Sequence, residues 1–119
     1  MLKKGKLELT WVGKYDREEN LEPRILVEDE SKSYGDNDTG CMLIHGDNLL
    51  ALKALEANFT GKIKCIYIDP PYNTGSAFEQ YDDNLEHSQW LNLLYPRLKI
   101  MRTLLCDAGS IWISIDADE

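Results

Sequence analysis

The residues of this chain best suited to chemistry are Asp69, Pro70, Pro71 and Tyr72, which directly follow the apolar residues 66–68. An ionised Asp69 carboxylate accepts hydrogen bonds and donates none. Each proline fixes φ at about −65° and keeps the backbone before it extended, so the Pro70 carbonyl can face the same way as the carboxylate. Tyr72 adds a ring on which a flat base can stack. Two acceptors beside a stacking face predict a site that holds an exocyclic amino group by both hydrogens.

The position of this motif favours a binding site over an ordinary turn. Asp-Pro and Pro-Pro pairs are common turn sequences in any globular domain. Residues 63–68, however, have the apolar character of a buried strand, and open parallel sheets bind ligands outside the carboxyl ends of their strands. We therefore expect Asp69 to lie at the ligand-binding edge of a sheet.

Alternating strand and helix patterns predict an α/β fold around the motif. Short apolar strands are expected at residues 42–45, 63–68 and 110–115. Apolar residues recur at helical spacing from 49 to 59 and again from 90 to 105. The order βαβαβ predicts a partial Rossmann-like fold with a mostly parallel sheet and right-handed crossovers.

Individual residues refine this expectation. Pro96 lies inside the second helical pattern and predicts a kink or a restart there. Gly109 is expected to end that helix. Residues 73–85 read as a long polar loop that carries Phe78 and Tyr81, and loops of this length are often functional.

The chain divides into an irregular leader at residues 1–40, with an extended arm or short strand at residues 6–12, and a more regular part at residues 41–119. Asp47 and Asn48 follow the first predicted strand, and either of them is suited to cap the helix after it. The cluster of Asp116, Asp118 and Glu119 is read as solvated acids or as part of a pocket lining.

Composition limits the classes of protein to which this chain can belong. The 119 residues fit one small domain, and no apolar run approaches the length of a membrane span. Three widely spaced cysteines predict neither a zinc site nor a disulfide framework, and they suit a reducing cytoplasmic setting. No metal site is expected. The formal net charge of −8 argues against nucleic-acid binding by these residues alone.

Distinctive motifs occur at residues 69–75 and, flanking them, at residues 10–14, 21–24, 45–49, 90, 95–98 and 113–116. Together these motifs resemble a known family, the modification (methyltransferase) subunits of type III restriction–modification systems. The resemblance implies a β-class DNA adenine-N6 methyltransferase that moves a methyl group from S-adenosylmethionine to an adenine flipped out of the duplex. It also implies double-stranded DNA, a restriction (helicase/nuclease) subunit and a second modification subunit as partners, and no membrane.

The resemblance also implies roles for single residues. Asp69 and the Pro70 carbonyl would accept the two amino hydrogens of the base, Pro71 would stiffen the motif, and Tyr72 would stack on the base. Asp47 would accept a hydrogen bond from the adenine amino group of the cofactor, in addition to or in place of its capping role.

One feature of the family is missing from these residues. None of the eight glycines is separated from another by a single residue, so no Gly-x-Gly turn is present for the cofactor. In the β class, the catalytic motif comes first and the recognition and glycine-rich regions follow it. We therefore expect an N-terminal fragment that is inactive alone. Cytosine-N4 methylation, and a remnant that binds neither cofactor nor DNA, remain alternatives.

Overall fold

The computed structural model describes residues 5, 7–16, 21–22, 24–71 and 83–115, without the side chains of residues 37 and 83–86. A single 3-10 turn at Asn37–Thr39 precedes helix α1 (Asn48–Phe59), strand β1 (Ile63–Ile68), helix α2 (Asp83–Leu104) and strand β2 (Leu105–Ile113). The two strands pair in parallel. The predicted α/β class is confirmed, and β1, α2 and β2 form one strand–helix–strand unit.

Helix α1 ends where the sequence predicts. The Thr60 amide and hydroxyl both donate to the Glu56 carbonyl, at 3.3 and 2.7 Å, and this closes the last turn. Gly61 follows with φ of 67°, a left-handed conformation that glycine adopts without steric cost. The chain then reverses directly into β1.

The predicted strand at residues 42–45 does not form. Extended chain becomes a strand only when a neighbour pairs with its backbone groups, and among the described residues β1 pairs with β2 alone. Ile44 instead lines an apolar groove with Leu55, Phe59 and Ile63. The described part of the chain therefore contains one strand–helix–strand unit where the sequence predicts two.

Helix α2 carries most of the core. Within the described residues, the buried hydrophobic side chains that form the core all lie on it: Trp90, Leu94, Ile100, Met101 and Leu104. The helix starts at Asp83, within the predicted loop, and it continues through Pro96 without a restart. The spacing of the apolar residues predicts Trp90, Leu94 and Met101 on this face, but it does not predict the burial of Ile100 and Leu104. Within the described residues, no helix is long and apolar enough to cross a membrane.

The end of α2 differs from the prediction because β2 begins with an irregularity. Ile63 pairs with Leu105 and Cys65 pairs with Ser110, so two steps along β1 match five along β2. Gly109 lies inside this bulge and does not end the helix. A β-carbon on Gly109 would lie 2.9 Å from the Ile63 carbonyl oxygen, which explains why this position lacks a side chain.

Beyond the bulge, β2 lies where the sequence predicts a strand. Residues 110–113 pair with residues 65–68 in regular register. The Ser114 amide extends the ladder by donating to the Ile68 carbonyl at 3.0 Å. The backbone next to Asp69 is therefore held by β2.

The leader packs on α2 through an arm, residues 7–16. Residues 7–11 have no regular secondary structure and residues 12–15 form a turn, so the described part of the arm does not form the strand that was one alternative. The Trp11 indole N–H donates to Asn92 Oδ1 at 2.6 Å, and Asn92 Nδ2 donates to the Val12 carbonyl at 3.0 Å. The Trp11 ring also meets the Tyr95 ring edge-on, with centroids 5.2 Å apart.

The bulge generates a stability prediction. Replacing Gly109 with Ala should lower the free energy of unfolding by about 1–3 kcal/mol, because the methyl group has no space beside the Ile63 carbonyl. Urea denaturation followed by circular dichroism measures the change. Gly5→Ala is the matched control, since a β-carbon there meets nothing within 4 Å. Equal effects of the two substitutions would contradict the packing at Gly109.

Candidate catalytic motif and its supports

The catalytic motif predicted from the sequence begins at the carboxyl end of β1. Asp69 follows Ile68 directly and is exposed, whereas Pro70 is buried. The exposed carboxylate is therefore carried by a backbone with little conformational freedom, because proline restricts its own φ and the conformation of the residue before it. Tyr72 lies outside the described residues, so its predicted role stays a prediction. Phe78 and Tyr81 lie outside them as well.

The second proline of the motif is tied to α2. The Trp90 indole N–H donates to the Pro71 carbonyl at 2.7 Å. The Trp90 side chain is packed in the core, with 9% of its surface exposed. A buried indole N–H needs an acceptor, and this carbonyl supplies it. The contact fixes the backbone two residues beyond Asp69.

Sequence reasoning places Trp90 in the core but misses this hydrogen bond. The available signal is general: a tryptophan in a helical apolar pattern carries one donor that has to be satisfied once it is buried. The identity of the acceptor depends on how α2 packs against the end of β1, which the apolar spacing does not encode.

Asp47 caps α1, as predicted. Its Oδ1 accepts from the Leu49 amide at 2.9 Å and from the Leu50 amide at 3.1 Å. These donors have no partners within the helix, and the acid also suits the positive end of the helix dipole. Both bonds use the same oxygen and the residue is exposed, so Oδ2 remains outside the cap. The predicted contact with a cofactor amino group is compatible with capping.

Arg97 connects α2 to the start of α1. Its Nε donates to Asn48 Oδ1 at 2.6 Å, and its Nη1 donates to the Leu93 carbonyl at 2.6 Å. Asn48 is the first residue of α1 and adjoins Asp47. The guanidinium therefore supports its own helix and holds the neighbouring one.

The arm, α2 and the end of β2 line an open apolar groove. Its wall includes Leu9, Trp11, Trp90, Leu94 and Ile113. Trp90 therefore contacts the groove with its ring and the motif with its indole N–H.

The arm has its own polar contacts next to this groove. Glu8 accepts from Lys14 Nζ and from the Tyr15 hydroxyl, each at 2.8 Å. These hydrogen bonds favour the protonated donors, so they raise the pKa of Lys14 and of Tyr15. Lys14 Nζ also lies 5.0 Å from the centroid of the Trp11 ring, in a cation–π contact. These contacts shape the turn that presents Trp11 to α2.

Other residues singled out in the sequence are not part of this cluster. The acids Asp116, Asp118 and Glu119 lie outside the described residues. His45 and His87 are exposed and belong to separate segments. Among the described residues, no group of three or more histidine, cysteine, aspartate or glutamate side chains could hold a metal ion.

Comparison with known proteins gives consistent matches. Residues 63–119 match the family model described as DNA methylase. The probable type III restriction-modification enzyme HindVI Mod subunit of Haemophilus influenzae is 49% identical over 75 residues, covering 63% of this chain and 10% of that protein. The type III restriction-modification enzyme EcoP15I Mod subunit of Escherichia coli is 35% identical and covers 99% of this chain and 24% of its own length.

The similarity extends to proteins named as type II methyltransferases. The type II methyltransferase M.KpnI of Klebsiella pneumoniae is 37% identical over 97 residues, covering 74% of this chain and 23% of that protein. The chain therefore spans a quarter or less of the length of these relatives.

The cap at Asp47 makes a testable contribution to stability. Asp47→Ala should lower the free energy of unfolding by about 0.5–2 kcal/mol, because two amides at the start of α1 lose their acceptor. Asp47→Ser should retain most of that stability, since serine caps helices about as well as aspartate. Chemical denaturation of the three proteins measures both effects. A serine variant as unstable as the alanine variant would contradict the capping role.

Proposed function

We propose that this chain, which belongs to the DNA methylase family matched by residues 63–119, forms the catalytic-motif part of a DNA adenine-N6 methyltransferase, the modification subunit of a type III restriction–modification system. The observation that carries this proposal is the position of Asp69. It is an exposed acid at the carboxyl end of a parallel strand, followed by a buried proline and by a carbonyl anchored to α2.

The proposed chemistry assigns hydrogen-bond acceptance to the motif. Asp69 and the Pro70 carbonyl accept the two amino hydrogens of an adenine that has left the base stack, since the amino group cannot be reached inside the duplex. This draws the nitrogen lone pair out of conjugation with the ring and directs it outward. Tyr72 supplies a stacking face for the base. Catalysis therefore rests on positioning and on preorganised acceptors.

S-adenosylmethionine is the proposed cofactor, and when bound it supplies an electrophilic methyl group. Asp47 fits the adenine end of such a molecule, because its Oδ2 stands outside the helix cap and accepts hydrogen bonds from an amino group. The residues that hold the methionine end are proposed to lie in further chain, since no Gly-x-Gly turn occurs in the 119 residues.

The partners follow from the same proposal. We propose double-stranded DNA as the substrate, with a restriction subunit and a second modification subunit in the assembled enzyme. The formal net charge of −8 is unfavourable for contact with phosphates, so the basic surface is assigned to chain beyond these residues. The 119 residues alone are accordingly proposed to transfer no methyl group. Residues 1–40 act in this proposal as a leader, and residues 41–119 form the catalytic-motif half.

The function is tested by the modified base itself. The complete modification subunit that carries this chain, incubated with S-adenosylmethionine and mixed-sequence duplex DNA, should produce N6-methyladenine, measured by mass spectrometry of the digested nucleosides. Asp69→Ala should lower kcat by about a hundredfold or more, because an acceptor that acts on the reacting amino group is lost. Asp69→Asn should be less damaging, since an amide oxygen still accepts one bond.

Controls separate the alternatives. Circular dichroism verifies that each variant is folded, and the 119-residue chain alone tests the proposed need for further sequence. N4-methylcytosine as the product would favour the second candidate, which uses the same acceptor geometry. Unchanged kcat in folded Asp69→Ala would contradict the role of Asp69.

Tyr72 is proposed to act through its ring. Tyr72→Phe should keep most activity, whereas Tyr72→Ala should weaken the hold on the flipped base by about 1–3 kcal/mol. Methylation kinetics measure the loss, together with the fluorescence of 2-aminopurine at the target position. Equal damage by Phe and Ala would assign a role to the hydroxyl, and a harmless Ala would leave the ring with packing alone.

A further inference from the structure

We propose that Trp90 and Arg97 are positioning residues that set the spacing between the Asp69 motif and the Asp47 turn. This inference rests on the proposed function, because it concerns how the two halves of that site are held relative to each other. Neither side chain is assigned a contact with substrate or cofactor. Each acts through a neighbour: Trp90 through the Pro71 carbonyl, and Arg97 through Asn48.

Both residues lie on one face of α2. They are seven residues apart in a helix that is continuous from Asp83 to Leu104. Seven residues are nearly two turns, so the side chains leave the helix in directions that differ by only about 20°. The two attachment points are separated along the axis by about 10 Å. Helix α2 thus works as a rigid spacer between the end of β1 and the start of α1.

The Trp90 attachment controls the motif. The indole is packed in the core, so its hydrogen bond fixes the position of the Pro71 carbonyl. Pro70 is buried and restricts the backbone between that acceptor and Asp69. Any displacement of the Pro71 carbonyl is therefore passed to the Pro70 carbonyl and to the Asp69 carboxylate. Loss of the indole donor should affect the reacting group more than cofactor binding.

The hydrogen bond from Arg97 to Asn48 positions the turn that carries Asp47. The planar guanidinium of Arg97 uses two donors in fixed directions, one toward Asn48 and one toward the Leu93 carbonyl. Asn48 follows Asp47 directly, so this bond fixes the place from which Asp47 Oδ2 points outward. Lysine keeps the charge but lacks the planar guanidinium with its two donors, so it cannot reproduce both bonds. Loss of the guanidinium should affect cofactor binding more than the chemical step.

The experiment uses the complete modification subunit and compares opposite kinetic effects. Trp90→Phe, which keeps an aromatic ring and removes the donor, should lower kcat by about tenfold to a hundredfold with little change in the KM for S-adenosylmethionine. Arg97→Lys should raise that KM by about tenfold while kcat stays nearly unchanged. If the two residues had a purely structural role, both variants would be less stable, but one would not change mainly kcat and the other mainly KM.

Matched controls come from the same chain. Trp112→Phe removes an exposed indole whose N–H donates to Ser110 Oγ, and Arg102→Ala removes an exposed cation from α2. Both should retain wild-type kcat and KM. Should Trp90→Phe fail to fold, 3-benzothienylalanine at position 90 replaces the N–H with sulfur at nearly constant shape and should reproduce the fall in kcat.

A second readout does not depend on activity. Hydrogen–deuterium exchange should quicken at the amides flanking the motif in Trp90→Phe, and at the Leu49 and Leu50 amides in Arg97→Lys. Asn48→Ala should reproduce the Arg97→Lys change, and combining the two should add little, because both remove the same contact.

The outcomes separate this inference from the proposed function. If the wild-type protein methylates no base while both exchange changes occur, the proposed function fails and the positioning roles stand. If the wild type methylates adenine but the variants show neither the exchange changes nor the opposite kinetic effects, the positioning roles are overturned.

Discussion

The hydrogen bond from the Trp90 indole to the Pro71 carbonyl is the contact on which the site depends. It joins the most buried helix of the described chain to the backbone that carries Asp69. A carboxylate at the surface is positioned only as precisely as the backbone that carries it. The backbone before Asp69 is held by pairing with β2, and the backbone after it is held by the indole N–H of Trp90 in the core.

The wider fold explains why α2 has this role. A two-stranded sheet is marginal by itself and needs a packed helix. Helix α2 supplies that packing with its apolar face, while Arg97 binds α1 and Asn92 binds the arm. Three segments are thus fixed relative to one helix. Tyr67 and Trp112, on neighbouring strands, are exposed.

The sequence predicted the parts that depend on local chemistry. Helix α1, its cap at Asp47, β1 and the paired part of β2 follow from apolar spacing and from residues with strong local preferences. The family was recognised because residues 69–75 and their flanks are distinctive. The prediction was wrong where strand pairing decides the structure. Residues 42–45 have no partner strand among the described residues, and Gly109 lies in a bulge instead of ending the helix. The bonds of Trp90 and Arg97 depend on packing between distant segments, which spacing does not encode.

The central claim is that the motif is anchored to the core through Trp90, and solvent exchange of the indole proton measures this directly. In the protein labelled with ¹⁵N-tryptophan, with the Trp90 signal assigned by its loss in Trp90→Phe, this proton should exchange far more slowly than that of exposed Trp112. It should also remain protected when Asp69 is replaced by Ala, because the anchor does not require the acid. Exchange as fast as that of Trp112 would contradict the account.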